Sequence, residues 1–158
     1  MLVAIIERPV RRTGFYAVRG HRIFPLARAG VRGIDVTVGE RRFSARRSAD
    51  GWQIDGRPAK TATAEALNDL TTTLTGLRAV DTFRSADATA FGLDHPRATI
   101  ELVTVRGVRR LVVGDLNSAG SAFYARRIGD PRVLQVGTLL QSELERVFYT
   151  RDGPRRAE

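Results

Sequence analysis

Apolar and polar residues alternate with a period of two in several short stretches of the chain and recur at three- and four-residue spacing in two others. Ile34, Val36 and Val38 alternate with Asp35 and Thr37, the pattern of a half-buried strand, and Gly39-Glu40 offers a tight turn after it. The partner strand is expected over 41–47, with Phe43 and Ala45 facing inward, and Ala49-Asp50-Gly51 turns into a third short strand over 52–54. The spacing of Ala66, Leu67, Leu70, Leu74 and Leu77 then predicts a helix, with Thr63 as its N-cap and Glu65 in its first turn. Thr71, Thr72 and Thr73 each weaken helix propensity by a few tenths of a kcal/mol, so packing on a sheet must hold this helix.

The same order recurs in the second half. A short strand over 79–83 and a helical turn over 86–91, closed by Gly92, lead into Leu93-Asp94-His95-Pro96, where His95 is extended because it precedes proline. Two alternating strands, 98–105 and 108–113, read as a hairpin around Arg106-Gly107, with Ile100, Leu102 and Val105 directed at the core. A polar loop over 114–121 precedes strands at 122–128 and 133–136. Thr138 and Gln141 suggest a capping box for a last helix whose apolar face is Leu140, Leu144, Val147 and Phe148. Two strand blocks, each followed by a packed helix, define an α+β fold with antiparallel sheets and not the strict strand-helix alternation of a nucleotide-binding fold. The expected organisation is an irregular basic N-terminal arm or membrane-proximal segment over 1–33, an α+β domain over 34–150 and a frayed tail over 151–158.

Charge changes this picture at one end. The net charge is +9, yet residues 1–60 hold 12 Arg and one Lys against five acids while the remainder is nearly balanced. Lys60 is the single lysine among 26 basic residues. At 158 residues the chain can bury a sizeable core without metal or disulfide, and the absence of Cys removes thiolate nucleophiles and Cys-ligated metals. Residues 1–6 are apolar but far short of the ~20 needed to cross a bilayer; they suit a strand, a docked terminus or the remnant of a membrane segment.

No catalytic set is legible. His21 and His95 have no companion motif for nucleophilic catalysis, and Glu143 and Glu145, two apart on a helix, do not face one another and read as a solvated surface. The loop 115–120 lacks the remaining ligands of a calcium site, and no glycine pattern matches a phosphate-binding loop. The expectation is therefore no catalytic residue, no metal and no cofactor. The arm supplies the candidate binding residues: Arg8, Arg11, Arg12, Arg19, Arg22, Arg28 and Arg32, interleaved with Phe15, Tyr16 and Phe24. Such a combination suits anionic lipid headgroups, an acidic protein surface or single-stranded nucleic acid. Nucleic acid is disfavoured because the helix near 64–77 carries no basic recognition face.

From Gly51 onward the chain resembles the family of domains of unknown function 4340. The residues that carry the resemblance are Gly51-Trp52-Gln53-Ile54, Phe91-Gly92-Leu93-Asp94-His95-Pro96, Val113-Gly114, Gly120 and Phe123-Tyr124-Ala125-Arg126, and it covers roughly residues 34–148. The resemblance implies an extracytoplasmic, membrane-anchored module associated with ABC-type transport or gliding-motility-like systems, with no catalytic residues to carry over. It also implies an N-terminal membrane helix, of which only the run at 1–6 is present here. The function expected is a non-enzymatic accessory or scaffolding subunit of a membrane-associated complex, with other protein subunits as partners. A nucleic-acid-binding module, an auxiliary domain of an ABC-type transport system and an enzyme of unfamiliar type are the alternatives.

Overall fold

The computed structural model describes residues 20–154; the apolar run at 1–6 lies outside them. Among the described residues nine strands form one antiparallel sheet: β1 (Val31–Val38), β2 (Arg41–Ser48), β3 (Gly51–Ile54), β4 (Arg57–Pro58), β5 (Asp81–Arg84), β6 (Ala98–Thr104), β7 (Gly107–Leu116), β8 (Ala122–Arg127) and β9 (Arg132–Gly137). The described residues also form two α-helices, α1 (Thr61–Gly76) and α2 (Leu139–Asp152). The spatial strand order is β4-β3-β2-β1-β6-β7-β8-β9-β5.

The α+β class is as expected, but the two strand blocks are one sheet and not two. The joint is the antiparallel pairing of β1 with β6, which sets Ile34 opposite Leu102, Val36 opposite Ile100 and Val38 opposite Ala98. β1 therefore gives one edge to β2 and the other to β6. Period-two alternation shows which side chains face the core, but it says nothing about how many edges of a strand are occupied.

Both helices pack on the face that carries Ile34, Val36, Phe43, Ala45, Ile100, Leu102, Leu111 and Val113. From α1 the buried stripe is Ala66, Leu67, Leu70 and Leu74, joined by Thr71 and Thr75. These two hydroxyls face the core without an unmet donor, because Thr71 Oγ1 donates to the Leu67 carbonyl (2.7 Å) and Thr75 Oγ1 to the Thr71 carbonyl (2.8 Å). α1 starts two residues earlier than Thr63, which is buried inside it, and Lys60 precedes it without a side-chain cap. The box at the start of α2 does not form either: Thr138 makes no side-chain cap bond, and its backbone carbonyl takes the Gln141 N–H (3.1 Å) instead.

α2 crosses back over the first strand block. Phe148 meets Phe43 edge to face at 5.2 Å, with the Arg41 guanidinium 4.5 Å over its ring, and Arg41 holds the Glu145 carboxylate in a fork at 2.6 and 3.0 Å. Glu145 is thus a structural partner and not the solvated surface residue expected. Arg151, placed in the frayed tail by the sequence, is the last turn of α2 and donates to the Arg42 carbonyl (2.7 Å) and to Asp55 (2.9 Å).

The body also begins before residue 34. Phe24 is fully buried and Ile23 is 4% exposed, both within the main core, and the Ile23 N–H donates to the Leu77 carbonyl at 2.9 Å. Residues 20–30 are part of the domain, closing over the C-terminal end of α1.

Candidate functional site

Of the residues that carried the family resemblance, Phe91, Gly92, Gly114, Tyr124 and Arg126 meet at the sheet face opposite the helices, whereas Trp52, Ile54, Phe123 and Ala125 belong to the core beneath the helices. After β5 takes the far edge beside β9, residues 85–97 return under the sheet through a short 3-10 turn (Thr89–Phe91). Phe91 lies 4.8 Å from Tyr124 and 5.2 Å from Phe83, ring centre to ring centre. Gly92 closes the turn at φ +69°, and a side chain there would collide with the Asp115 carboxylate; one on Gly114 would collide with the Phe91 carbonyl. Arg126 donates to the Ser85 carbonyl at 2.9 Å. The motif is a clasp that fastens the returning loop to β7 and β8, and its contacts are architectural. His95, inside it, has a side chain 94% exposed, with the Asp94 carboxylate at 4.0 Å.

The loop 115–120 is the hairpin connection expected: Asn117 Oδ1 accepts the Ser121 N–H (3.0 Å), and its amide reaches Gln135 (2.9 Å). No group of three or more His, Cys, Asp or Glu is placed to hold a metal among the described residues.

Of the binding residues expected in the arm, Arg8, Arg11, Arg12, Phe15, Tyr16 and Arg19 lie outside the described residues. Phe24 belongs to the core and offers a partner nothing. Arg22 is committed within the fold: its guanidinium donates to the Thr75 carbonyl at 3.0 and 2.5 Å and to the Leu26 carbonyl at 2.9 Å. It satisfies the Thr75 carbonyl in the last turn of α1, and a cation suits that end of the helix dipole. Arg28 and Arg32 are exposed, Arg28 on a 3-10 turn (Arg28–Gly30) and Arg32 at the start of β1.

Near that turn, a wide concavity opens at the end of the sheet. It is a groove of about 910 Å³ between residues 24–30, the β6–β7 turn and the β8–β9 turn. Val105, Val108 and Ile128 stand on its walls, exposed by 74, 53 and 55%. Val105 was expected in the core; it lies beyond the last paired residue of β6, where the turn carries it out past the cover of the helices. Arg106, Arg109, Arg110 and Arg127 line the same groove, against one acid, Glu101, which Arg110 holds at 3.0 Å. Arg127 turns inward to the Ile23 carbonyl (2.8 Å), whereas the guanidinium groups of Arg106 and Arg109 have no acidic partner among the described residues. The sequence reading passed over this patch because each half of it is an ordinary turn; the signal available was two valines flanking Arg106-Gly107.

Beside the groove, Asp130 secures the β8–β9 turn. Hydrogen bonds from the Arg132 side chain (2.6 Å) and backbone (3.0 Å) hold its carboxyl well below the usual carboxylate range.

No helix among the described residues is long and apolar enough to cross a membrane. Residues 52–148, more than half of the chain, match the model of the family described as Domain of unknown function (DUF4340), and the chain belongs to that family. No curated protein and no solved structure matches it.

Proposed function

We propose that this DUF4340 member is a non-enzymatic accessory or scaffolding subunit of a membrane-associated protein complex, attached to an anionic membrane surface by its basic N-terminal segment and the groove end of its sheet. The observation that supports the reading is the meeting of three exposed apolar side chains, Val105, Val108 and Ile128, with two arginines, Arg106 and Arg109, that have no acidic partner among the described residues, on adjoining turns. Burying one such apolar side chain is worth about 1.5–3 kcal/mol at most. An arginine near an anionic surface adds about 1 kcal/mol, screened beyond a Debye length of about 8 Å. Neither contribution holds a protein on a membrane alone; added together, and with the arm, they give reversible and salt-sensitive attachment. The helices and the polar sheet face then remain free for other subunits. An extracytoplasmic setting, or an auxiliary role in an ABC-type transport system, rests on the family resemblance alone.

Cosedimentation with vesicles tests the reading. The full chain is expected to pellet with phosphatidylglycerol-containing vesicles at low salt, to be released at high salt, and to stay in solution with phosphatidylcholine alone. V105S/V108S/I128S and R106Q/R109Q should each weaken pelleting, as should removal of residues 1–19. Equal pelleting by all of these variants and the full chain would overturn the attachment mechanism.

A further inference from the structure

Arg47 differs from most arginines of the body. Arg22, Arg126 and Arg127 donate to backbone carbonyls, and Arg41, Arg46 and Arg132 to carboxylates. Arg47, near the end of β2, lies with its guanidinium 5.0 Å over the ring of Trp52, and its Nε and Nη2 are shut away from solvent with no acceptor among the described residues. Trp52 itself is held by its indole N–H, which donates to Asn68 Oδ1 on α1 at 2.9 Å.

The charges around Arg47 are of its own sign. Burial first, and then the positive charges of Arg28 and Arg32, push its guanidinium below the usual arginine value. The β1–β2 register pairs Gly33 with Arg46, so Arg32 and Arg47 stand one step further along on neighbouring strands. Arg28 comes from the 3-10 turn that packs against α1. The acid nearest in register, Asp35, is already engaged by Arg46 (2.6 Å) and Ser44 (2.7 Å). Three cations from three segments therefore converge without a counter-charge among the described residues, and one of them carries donors that no described residue meets.

We infer that Arg28, Arg32 and Arg47 form a binding site for a phosphate-class oxyanion, free or carried on a lipid headgroup, with Trp52 as the floor on which the Arg47 guanidinium rests. A phosphate brings several acceptor oxygens and up to two negative charges, so it supplies the acceptors Arg47 lacks and cancels the mutual repulsion. A planar guanidinium on an aromatic ring is already restricted in orientation, and turning within its own plane presents its unmet edge to the anion while keeping the stack. The inference is independent of membrane attachment, since a free phosphate would occupy the same three arginines.

Trp52 is the only tryptophan, so its emission reports on Arg47. The full chain is titrated with inorganic phosphate at constant ionic strength against a sodium chloride control, and separately with vesicles of phosphatidylcholine with and without phosphatidic acid. A saturable change with phosphate and not with chloride is expected, identifying a site for the free anion. Saturation only by phosphatidic acid vesicles would equally support the site and assign its source to the headgroup. R28Q and R32Q alter exposed side chains and leave Trp52 in place; each should weaken the response about tenfold, the loss of one charge-assisted hydrogen bond. R47M, which keeps an apolar stem on Trp52, should abolish it. No saturable response to either probe, or unchanged affinity in R28Q and R32Q, would overturn the inference whatever the pelleting experiments give.

Discussion

Replacing Phe24 with alanine tests whether residues 20–30 belong to the folded body. The ring is fully buried within the core. The backbone around it cannot relax freely, because the Ile23 N–H is bonded to the Leu77 carbonyl and the Ala79 N–H to the His21 carbonyl. Arg22 ties the same segment to the end of α1. A site pinned on both sides collapses little when emptied, so F24A should cost about 3–5 kcal/mol, as Phe-to-Ala changes in closed cores do. Against a total stability of about 5–15 kcal/mol for a domain, that is a large share. It corresponds to a fall in Tm on the order of 10 °C for a chain of this size. Urea unfolding followed by Trp52 emission and by far-ultraviolet circular dichroism gives the difference directly. A cost under about 1 kcal/mol, which is what an exposed arm residue would show, would refute the placement of this segment in the core.

Two further outcomes follow from the clasp and from the paired carboxylates. G114A should destabilise the protein by about 1–3 kcal/mol, since its methyl group needs the space of the Phe91 carbonyl, and protease cleavage within 85–97 should rise with it; an unchanged cleavage rate would mean that the loop does not depend on this approach. Asp35, Asp130 and Asp152 all have carboxyl pKa values lowered in the folded state, the first by hydrogen bonds from Arg46 and Ser44 that outweigh its burial, the others chiefly by Arg132 and Arg151. Their contribution is therefore complete above the unfolded carboxylate value of about 3.9 and is lost as pH falls through the lower folded values. Urea midpoints should decline below about pH 4, and the decline should be shallower in D130N; equal slopes would contradict the role given to the Arg132 pair.

The arginine content takes on a different meaning once the chain is folded. Arg22, Arg78, Arg126, Arg127 and Arg151 each donate to a backbone carbonyl of a distant segment. Much of the positive charge is therefore used to tie loops and helix ends to the sheet. The cations left for a partner are fewer than the arginine content suggests; Arg106 and Arg109 stand at the groove end, while Arg42, Arg57, Lys60 and Arg84 are exposed elsewhere on the body.

The local patterns are properties of neighbours in sequence, and so they could be read without coordinates. Ile34, Val36 and Val38 announce their strand, the leucines of α1 their helix, and the stretch 91–96, 113–114 and 123–126 the family. Long-range choices had to wait for the tertiary structure, because alternation is blind to which strand lies alongside. The β1–β6 pairing that makes two blocks one sheet, the fork of Arg41 on Glu145 and the burial of Phe24 all join residues far apart in the chain. The groove end and the cluster of Arg28, Arg32 and Arg47 are of that kind too: each arginine alone is an ordinary charge in a turn or strand, and only the packing of separate segments sets them beside one another.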